Sequence, residues 1–319
     1  VDYAELHCIS NLSFLRGASH PSELVVRAAA LGYQGLALTD ECSLAGIVRA
    51  HVAAREAGLK LIIGAEFRLP GEILLVLLAP DRPAYASLSG LITLGRRRAP
   101  KGEYTLRLED LSINARGCLA IWVPAADATD MMLDTQAAAL AEIFGDRLWL
   151  GIELHRGPGE QQRYLQLHAL ACRHAVAMVA CGGVAMHEAS RKPLADVLAA
   201  IRLGLPVQQL GTRIAPNAEA HLRPRTTLAR LYPPALLAES VRIAERCHFS
   251  LEELRYEYPQ EVVPAGRSAS AWLRELVLAG AARRWPKGMA PRVASLIEKE
   301  LGMIHELAYE YYFLTVHDI

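Results

Sequence analysis

Six side chains able to bind a cation or move a proton stand at the ends of short apolar runs: His7, Asp40, Glu41, Glu66, Glu153 and His155. Imidazoles and carboxylates arriving from different segments are the ligands that zinc, manganese and iron take. Brought to one mouth, they would support two-metal hydrolysis of a phosphate ester. A metal-bound hydroxide would attack and a second cation would hold the leaving oxygen. A lone His or Glu at such a place is more often solvated or hydrogen-bonded within the fold, so residue type alone leaves both readings open. Two basic clusters offer a different chemistry. Arg96-Arg97-Arg98 with Lys101, and Arg283-Arg284 with Lys287, carry the charge that grips phosphates regardless of base sequence. Trp285 could stack on a base, although an aromatic in an amphipathic segment is more often core and a charged run is usually a solvated face.

The elements that must position these groups alternate. Strands are expected at Tyr3 to Ile9, Gly35 to Asp40, Lys60 to Phe67, Ile73 to Ala79, Cys118 to Val123, Trp149 to Leu154 and Val176 to Cys181. Helices are expected from about Pro21 to Gly32, then at Leu44 to Ala57, Tyr85 to Leu94, Thr135 to Phe144, Glu160 to Ala175 and Pro193 to Leu203. Alternation of strand and helix specifies parallel pairing through right-handed crossovers. No GxGxxG follows the first strand, so the fingerprint of an open dinucleotide-binding sheet is missing. Ionisable groups at the carboxyl ends of several strands are the barrel pattern. The fold expected is α/β, a distorted seven-stranded β/α barrel followed by a smaller helical segment.

The texture changes after about Arg223, giving expected domains of 1–223 and 224–319. The second holds helices at Ala235 to Cys247 and Ser270 to Arg284, separated by a Pro-rich connector from Tyr258-Pro259 to Gly266. Ser295 and Glu298 read as a capping box opening a third helix, with Ile297, Leu301, Ile304, Ala308 and Tyr311 on one face.

With 34 basic and 34 acidic residues, bulk electrostatics announce neither a nucleic-acid nor a membrane partner, so any such surface must be local. The chain is 52% hydrophobic and 21% charged, enough for a sizeable core. Its six cysteines form no CxxC pair and read as buried thiols of a reducing compartment. No basic leader or long apolar run is present, so no signal peptide or membrane span is read and the cytoplasm is the expected location. The last residues, Tyr312 to Ile319, stop inside an apolar segment, which reads as an interruption within a longer protein.

Glu5-Leu6-His7-Cys8-Ile9-Ser10, Phe14-Leu15-Arg16-Gly17-Ala18-Ser19-His20-Pro21, Ala37-Leu38-Thr39-Asp40-Glu41-Cys42 and Leu61-Ile62-Ile63-Gly64-Ala65-Glu66 together resemble the PHP (polymerase and histidinol phosphatase) domain. More narrowly, the chain resembles the error-prone, translesion branch of the bacterial C-family DNA polymerase III α-type subunit. Ala99 to Tyr104, Leu254 to Pro259 and Tyr311 to Ile319 support that resemblance, which covers essentially the whole chain.

In metal-bearing members the family pattern begins His-x-His; here His7 matches and Ile9 does not. The expected acidic residue of the next loop is Arg16. Thr39-Asp40-Glu41 replaces Thr-Asp-His, and Glu66 matches its carboxylate. The fourth-strand histidine falls near Leu74, and the Asp-x-His of the last strand falls on Gly183-Val184-Ala185. The resemblance therefore implies a vestigial pocket (His7, Arg16, Asp40, Glu41, Glu66, Glu153, His155) with no catalytic residue: the favoured reading has no metal and Arg16 pairing Glu41 or Glu66, the other a single weakly held ion on His7, Glu41 and Glu66.

The leading expectation is a structural module of an error-prone DNA polymerase acting in translesion synthesis, DNA repair and damage tolerance. Its polymerase carboxylates and their Mg ions would lie beyond Ile319, so the chain alone would not polymerise. By resemblance its partners are DNA, a sliding clamp and an inactivated Y-family polymerase-like accessory protein. The rival is an active metal-dependent phosphoesterase or 3′–5′ exonuclease on the same barrel. A stand-alone sugar- or phosphate-binding barrel is a third reading.

Overall fold

The computed structural model describes residues 1–254, 259–260 and 262–319. Arg255 to Tyr258 and Glu261, within the Pro-rich connector and the Leu254 to Pro259 stretch, lie outside the described residues. Two compact units divide the chain, Val1–Glu253 and Leu254–Ile319.

The first unit runs β1 (Ala4–Glu5), α1 (Pro21–Ala30), β2 (Gly35–Leu38), α2 (Ile47–Ala57), β3 (Leu61–Leu69), β4 (Ile73–Leu78), α3 (Arg82–Arg97), α4 (Leu108–Asn114), β5 (Leu119–Val123), α5 (Asp130–Phe144), β6 (Leu148–Glu153), α6 (Glu160–His174), β7 (Ala177–Cys181), α7 (Lys192–Leu203), α8 (Arg225–Leu231) and α9 (Pro234–Arg246). The seven strands neighbour one another in chain order, and a parallel bridge between Cys8 and Val184 brings the last edge back to the first. Ile9 N–H donates to the Val184 carbonyl and Val184 N–H to the His7 carbonyl, both at 2.9 Å. The result is a nearly closed seven-stranded barrel.

Uniformly parallel pairing is corrected. β4 is antiparallel to both β3 and β5. Only Pro70, Gly71 and Glu72 separate β3 from β4, too few for a crossover, and Gly71 takes the positive φ (81°) of the turn. The first strand is also shorter than Tyr3 to Ile9. Past Glu5 the edge is held by a side chain: Glu5 Oε1 accepts from His7 N–H at 3.0 Å and Gly182 N–H at 2.9 Å. A Cβ on Gly182 would lie 2.1 Å from Glu5 Oε2, so glycine there makes room for this carboxylate.

Inward-facing side chains, among them Leu6, Ala37, Ile62, Val76, Ile121 and Val179, fill the barrel interior. Ile243, Ala244 and Cys247 of α9 join them. That helix plugs the amino end of the parallel strands: Ser240 Oγ accepts from Ala4 N–H at 3.1 Å, and Trp149 Nε1–H donates to Glu239 at 2.8 Å. The carboxyl end remains as the open mouth. A domain boundary at Arg223 is therefore displaced to Glu253. Arg223 is 1% exposed, and its guanidinium donates to the Leu154 carbonyl at 2.7 Å.

The second unit holds α10 (Ala269–Arg284), α11 (Pro291–Glu306) and α12 (Glu310–Asp318). The capping box at Ser295 is corrected: α11 already begins at Pro291, whose missing N–H is harmless there. Glu298 instead lies mid-helix and takes a hydrogen bond from Arg274 at 2.7 Å. Ala308, at φ 55°, and Tyr311 lie past the end of α11. Among the described residues no helix is long and apolar enough to cross a membrane.

Candidate functional site

Three elements deliver the acidic and imidazole groups to the mouth. His7 follows β1, Glu66 stands within β3 and Glu153 ends β6. A fourth group arrives on the loop between β1 and α1. Asp40 organises that loop, accepting from Ser10 N–H, Ser10 Oγ–H and Ser13 Oγ–H, each at 2.7 Å. Gly17 packs so tightly that a Cβ would fall 2.0 Å from the Ser10 carbonyl oxygen. Between them Leu15 adopts φ 59°, a conformation uncommon outside glycine. The net effect is to aim Arg16 inward.

His7 donates Nδ1–H to Glu153 Oε1 at 2.5 Å and Nε2–H to Glu66 Oε2 at 2.7 Å. Arg16 Nη1 donates to both Glu41 Oε2 and Glu66 Oε1. Tyr104 Oη–H donates to Glu41 Oε1 at 2.9 Å, and Arg68 lies 3.8 Å from Glu66 and 3.9 Å from Glu41. The chain Glu153–His7–Glu66–Arg16–Glu41 is thus one continuous lattice of alternating charge. Burial opposes the charge on His7, but the two carboxylates overcome it and push the imidazole up to about 10. Burial likewise opposes Glu66, yet the His7 hydrogen bond and the Arg16 and Arg68 charges hold it down at about 2. Glu153 is lowered against burial by His7, and Arg16 is held protonated against burial by Glu66 and Glu41. Two ionised acceptors require both ring nitrogens of His7 to carry protons, so the ring has no lone pair left for a cation.

This donor set does not fit the metals that a PHP resemblance implies. A guanidinium occupies the space between Glu41 and Glu66. Ile9, Leu74 and Ala185 line the pocket without a donor atom. A Cβ on Gly183 would meet Glu153 Oε2 at 2.5 Å, so Glu153 fills the room an acidic side chain at position 183 would need. Among the described residues, no group of three or more His, Cys, Asp or Glu side chains is arranged to hold a metal ion.

Of the expected pocket residues, His7, Arg16, Glu41, Glu66 and Glu153 come together. Asp40 does not: it is buried, turned into the loop at Ser10 and Ser13, and burial raises its pKa. β2 ends at Leu38, and the hydrogen bonds from Ser10 and Ser13 turn Asp40 away from the mouth that Glu41 faces. His155 also leaves the lattice. It donates Nε2–H to the Gly182 carbonyl at 2.6 Å and lines a second cleft, on the other side of Glu153, with Arg163 and Gln166. Sequence reasoning missed Arg68 and Tyr104. Arg68 stands two residues after Glu66 in the same strand, a spacing that puts both on one face; no local signal marks Tyr104.

The basic clusters divide as well. Arg96 is on α3 rather than in a loop, and its guanidinium donates to the carbonyls of Glu41, Cys42, Gly102 and Glu103 at 3.2–3.3 Å. Arg98 pairs with Asp110 at 2.6 Å, while Arg97 and Lys101 are exposed. In the second unit Arg283, Arg284 and Lys287 are exposed, and Arg284 lies over the Trp285 ring at 5.6 Å from its centroid.

The barrel carries this charge lattice at its carboxyl mouth, and residues 5–155 match the PHP domain family. Residues 271–319 match the bacterial DNA polymerase III alpha NTPase domain. Across its length the chain is similar to error-prone DNA polymerases. It is 56% identical over 318 residues to that of Methylococcus capsulatus, covering 99% of this chain and 30% of the relative. It is 54% identical over 317 residues to that of Pseudomonas aeruginosa, with the same coverage. The chain thus spans about 30% of the length of these curated relatives. Among solved structures, an amidohydrolase from Chromobacterium violaceum with bound sulfate and no metal aligns at 18% identity and TM-score 0.45, covering 58% of this chain and 88% of that one.

Proposed function

We propose that this chain is part of a cytoplasmic error-prone DNA polymerase acting in translesion synthesis and DNA damage tolerance, and that its PHP barrel is architectural rather than hydrolytic. The observation that carries the barrel's role is the charge lattice. Every ionisable group left at the metal position is engaged by another side chain, and His7 is blocked on both nitrogens. In this reading the lattice ties β1, β3 and β6 together at the mouth, the task a metal cluster performs in a catalytic barrel. Nucleotidyl transfer, with its carboxylates and Mg ions, belongs to polymerase sequence outside this chain. DNA is the substrate of the whole protein, and a sliding clamp and an inactivated Y-family polymerase-like protein are its accessory partners.

The test has two arms. Protein purified without chelator is analysed for Mn, Zn and Fe, and the chain is assayed with added Mn or Zn on a single-stranded DNA end and a generic phosphate ester. Substoichiometric metal and no turnover are expected. Stoichiometric metal with turnover abolished by His7→Ala or Glu66→Ala would establish a metal-dependent phosphoesterase or exonuclease instead. In the second arm the full-length polymerase extends a primer past a template lesion and this chain alone does not; failure of the full-length protein to extend would overturn the polymerase reading.

A further inference from the structure

The exchange of metals for arginine changes the sign of what the mouth attracts. A pocket of about 230 Å³ opens beside the lattice, lined by guanidinium groups from three separate elements. Arg16 comes from the loop after β1, Arg68 from β3 and Arg202 from α7. Against them stand the two lining carboxylates, Glu66 and Glu153, both already bonded to His7. Arg16 uses only Nη1 on Glu41 and Glu66, leaving Nε and Nη2. The Arg68 guanidinium stays beyond hydrogen-bond distance of its nearest carboxylates, at 3.8 and 3.9 Å. The Arg202 side chain is exposed and makes no ion pair or hydrogen bond among the described residues.

The rest of the wall is apolar, including Ile9, Leu74, Val184 and Ala199. Low-dielectric walls focus the field of such charges into the cavity. A planar carboxylate satisfies a single guanidinium fork. A tetrahedral phosphate, with three or four free oxygens, can use donors converging from several sides. We propose that this pocket binds a phosphate group without any metal, using Arg68 and Arg202 at its mouth and the free edge of Arg16 behind them. The cavity takes a phosphate with room for the group attached to it, so its ligand is inorganic phosphate or the terminal phosphate of a nucleic-acid strand. The proposal rests on the metal-free reading of the site, and the group is held, not hydrolysed.

Binding is measured on the whole chain by calorimetry in EDTA at low salt. The probes are inorganic phosphate, a short single-stranded oligonucleotide with a 3′-phosphate, and the same oligonucleotide without it. Binding in EDTA is expected, weakening as salt rises. Each of Arg68→Gln and Arg202→Gln should weaken it about tenfold, the loss of one charge-assisted hydrogen bond. Both side chains are exposed, so an unchanged melting temperature verifies that the variants fold. Tighter binding of the phosphorylated oligonucleotide than of phosphate assigns the site to strand ends; equal affinity assigns it to free phosphate. Absence of binding, or equal binding by wild type and the double variant, overturns the proposal and leaves the charge lattice intact. Binding that appears only with added Mn or Zn overturns the metal-free reading itself.

Discussion

Replacing Arg16 by Met removes the cation shared by Glu41 and Glu66 while keeping a similar apolar stem. Deleting one partner of a buried ion pair costs about 3–5 kcal/mol, because the other charge is left without compensation. Two features of the lattice lower that figure. Glu66, 1% exposed, keeps the His7 hydrogen bond at 2.7 Å and Arg68 at 3.8 Å. Glu41 is 21% exposed and keeps the Tyr104 hydroxyl. The expected loss is therefore about 2–3 kcal/mol. In a unit the size of Val1–Glu253, each kcal/mol moves Tm by about 2–4 °C, so the variant should melt about 4–12 °C lower. Thermal unfolding followed by circular dichroism at pH 7, with and without EDTA, measures both quantities that matter. EDTA should shift neither protein. Adding Glu41→Gln to Arg16→Met should recover part of the loss, with a coupling of about 1–2 kcal/mol. An unchanged Tm in Arg16→Met, or a wild-type Tm that falls in EDTA, would refute the claim that the guanidinium stands in for a metal.

Three further outcomes follow from the same geometry. His7 is raised from its ordinary 6.5 to about 10, so its contribution to stability is whole below pH 6.5 and is lost as pH rises through about 10. Urea denaturation between pH 6 and 10 should show the wild type losing up to about 1.4 kcal/mol per pH unit more than His7→Gln; parallel profiles would contradict the charged imidazole. Gly17→Ala should destabilise by about 3 kcal/mol or more and loosen Arg16, since its Cβ meets backbone at 2.0 Å; a melting curve matching wild type would refute the tight loop. Arg96→Met should cost about 2 kcal/mol through its lost carbonyl contacts, whereas Arg97→Gln should stay within about 0.5 kcal/mol. Equal effects on denaturation would mean that Arg96 is a surface charge like its neighbour.

Much of this was legible before the structure. Apolar runs gave the seven strands, because a buried β/α strand must be apolar on both faces. The direction of β4 was missed, although Leu69-Pro70-Gly71-Glu72-Ile73 is too short for a parallel connection and carries a Pro-Gly turn signal. Asp40 and Glu41 lie past the end of β2 at Leu38, where period-two alternation no longer says which of them faces the mouth. His155 shares a face with Glu153 only while the strand lasts, and β6 stops at Glu153. The end of the first unit was misplaced because α8 and α9 bring no strand with them. Amphipathic periodicity says that a helix buries a face, not what it buries the face against. Arg202 and Tyr104 reach the mouth or its carboxylates only through tertiary placement, which no window of sequence contains.

The position of Gly183 has a consequence for the history open to this barrel. Installing an acidic residue there collides with Glu153. Removing Glu153 first deprives protonated His7 of one carboxylate, and removing Arg16 first leaves Glu41 and Glu66 facing each other. Each of these three steps toward a cation-binding set is therefore uphill in stability. The lattice acts as a ratchet: through these positions, a cation-binding mouth is reached only by concerted changes at several strand ends.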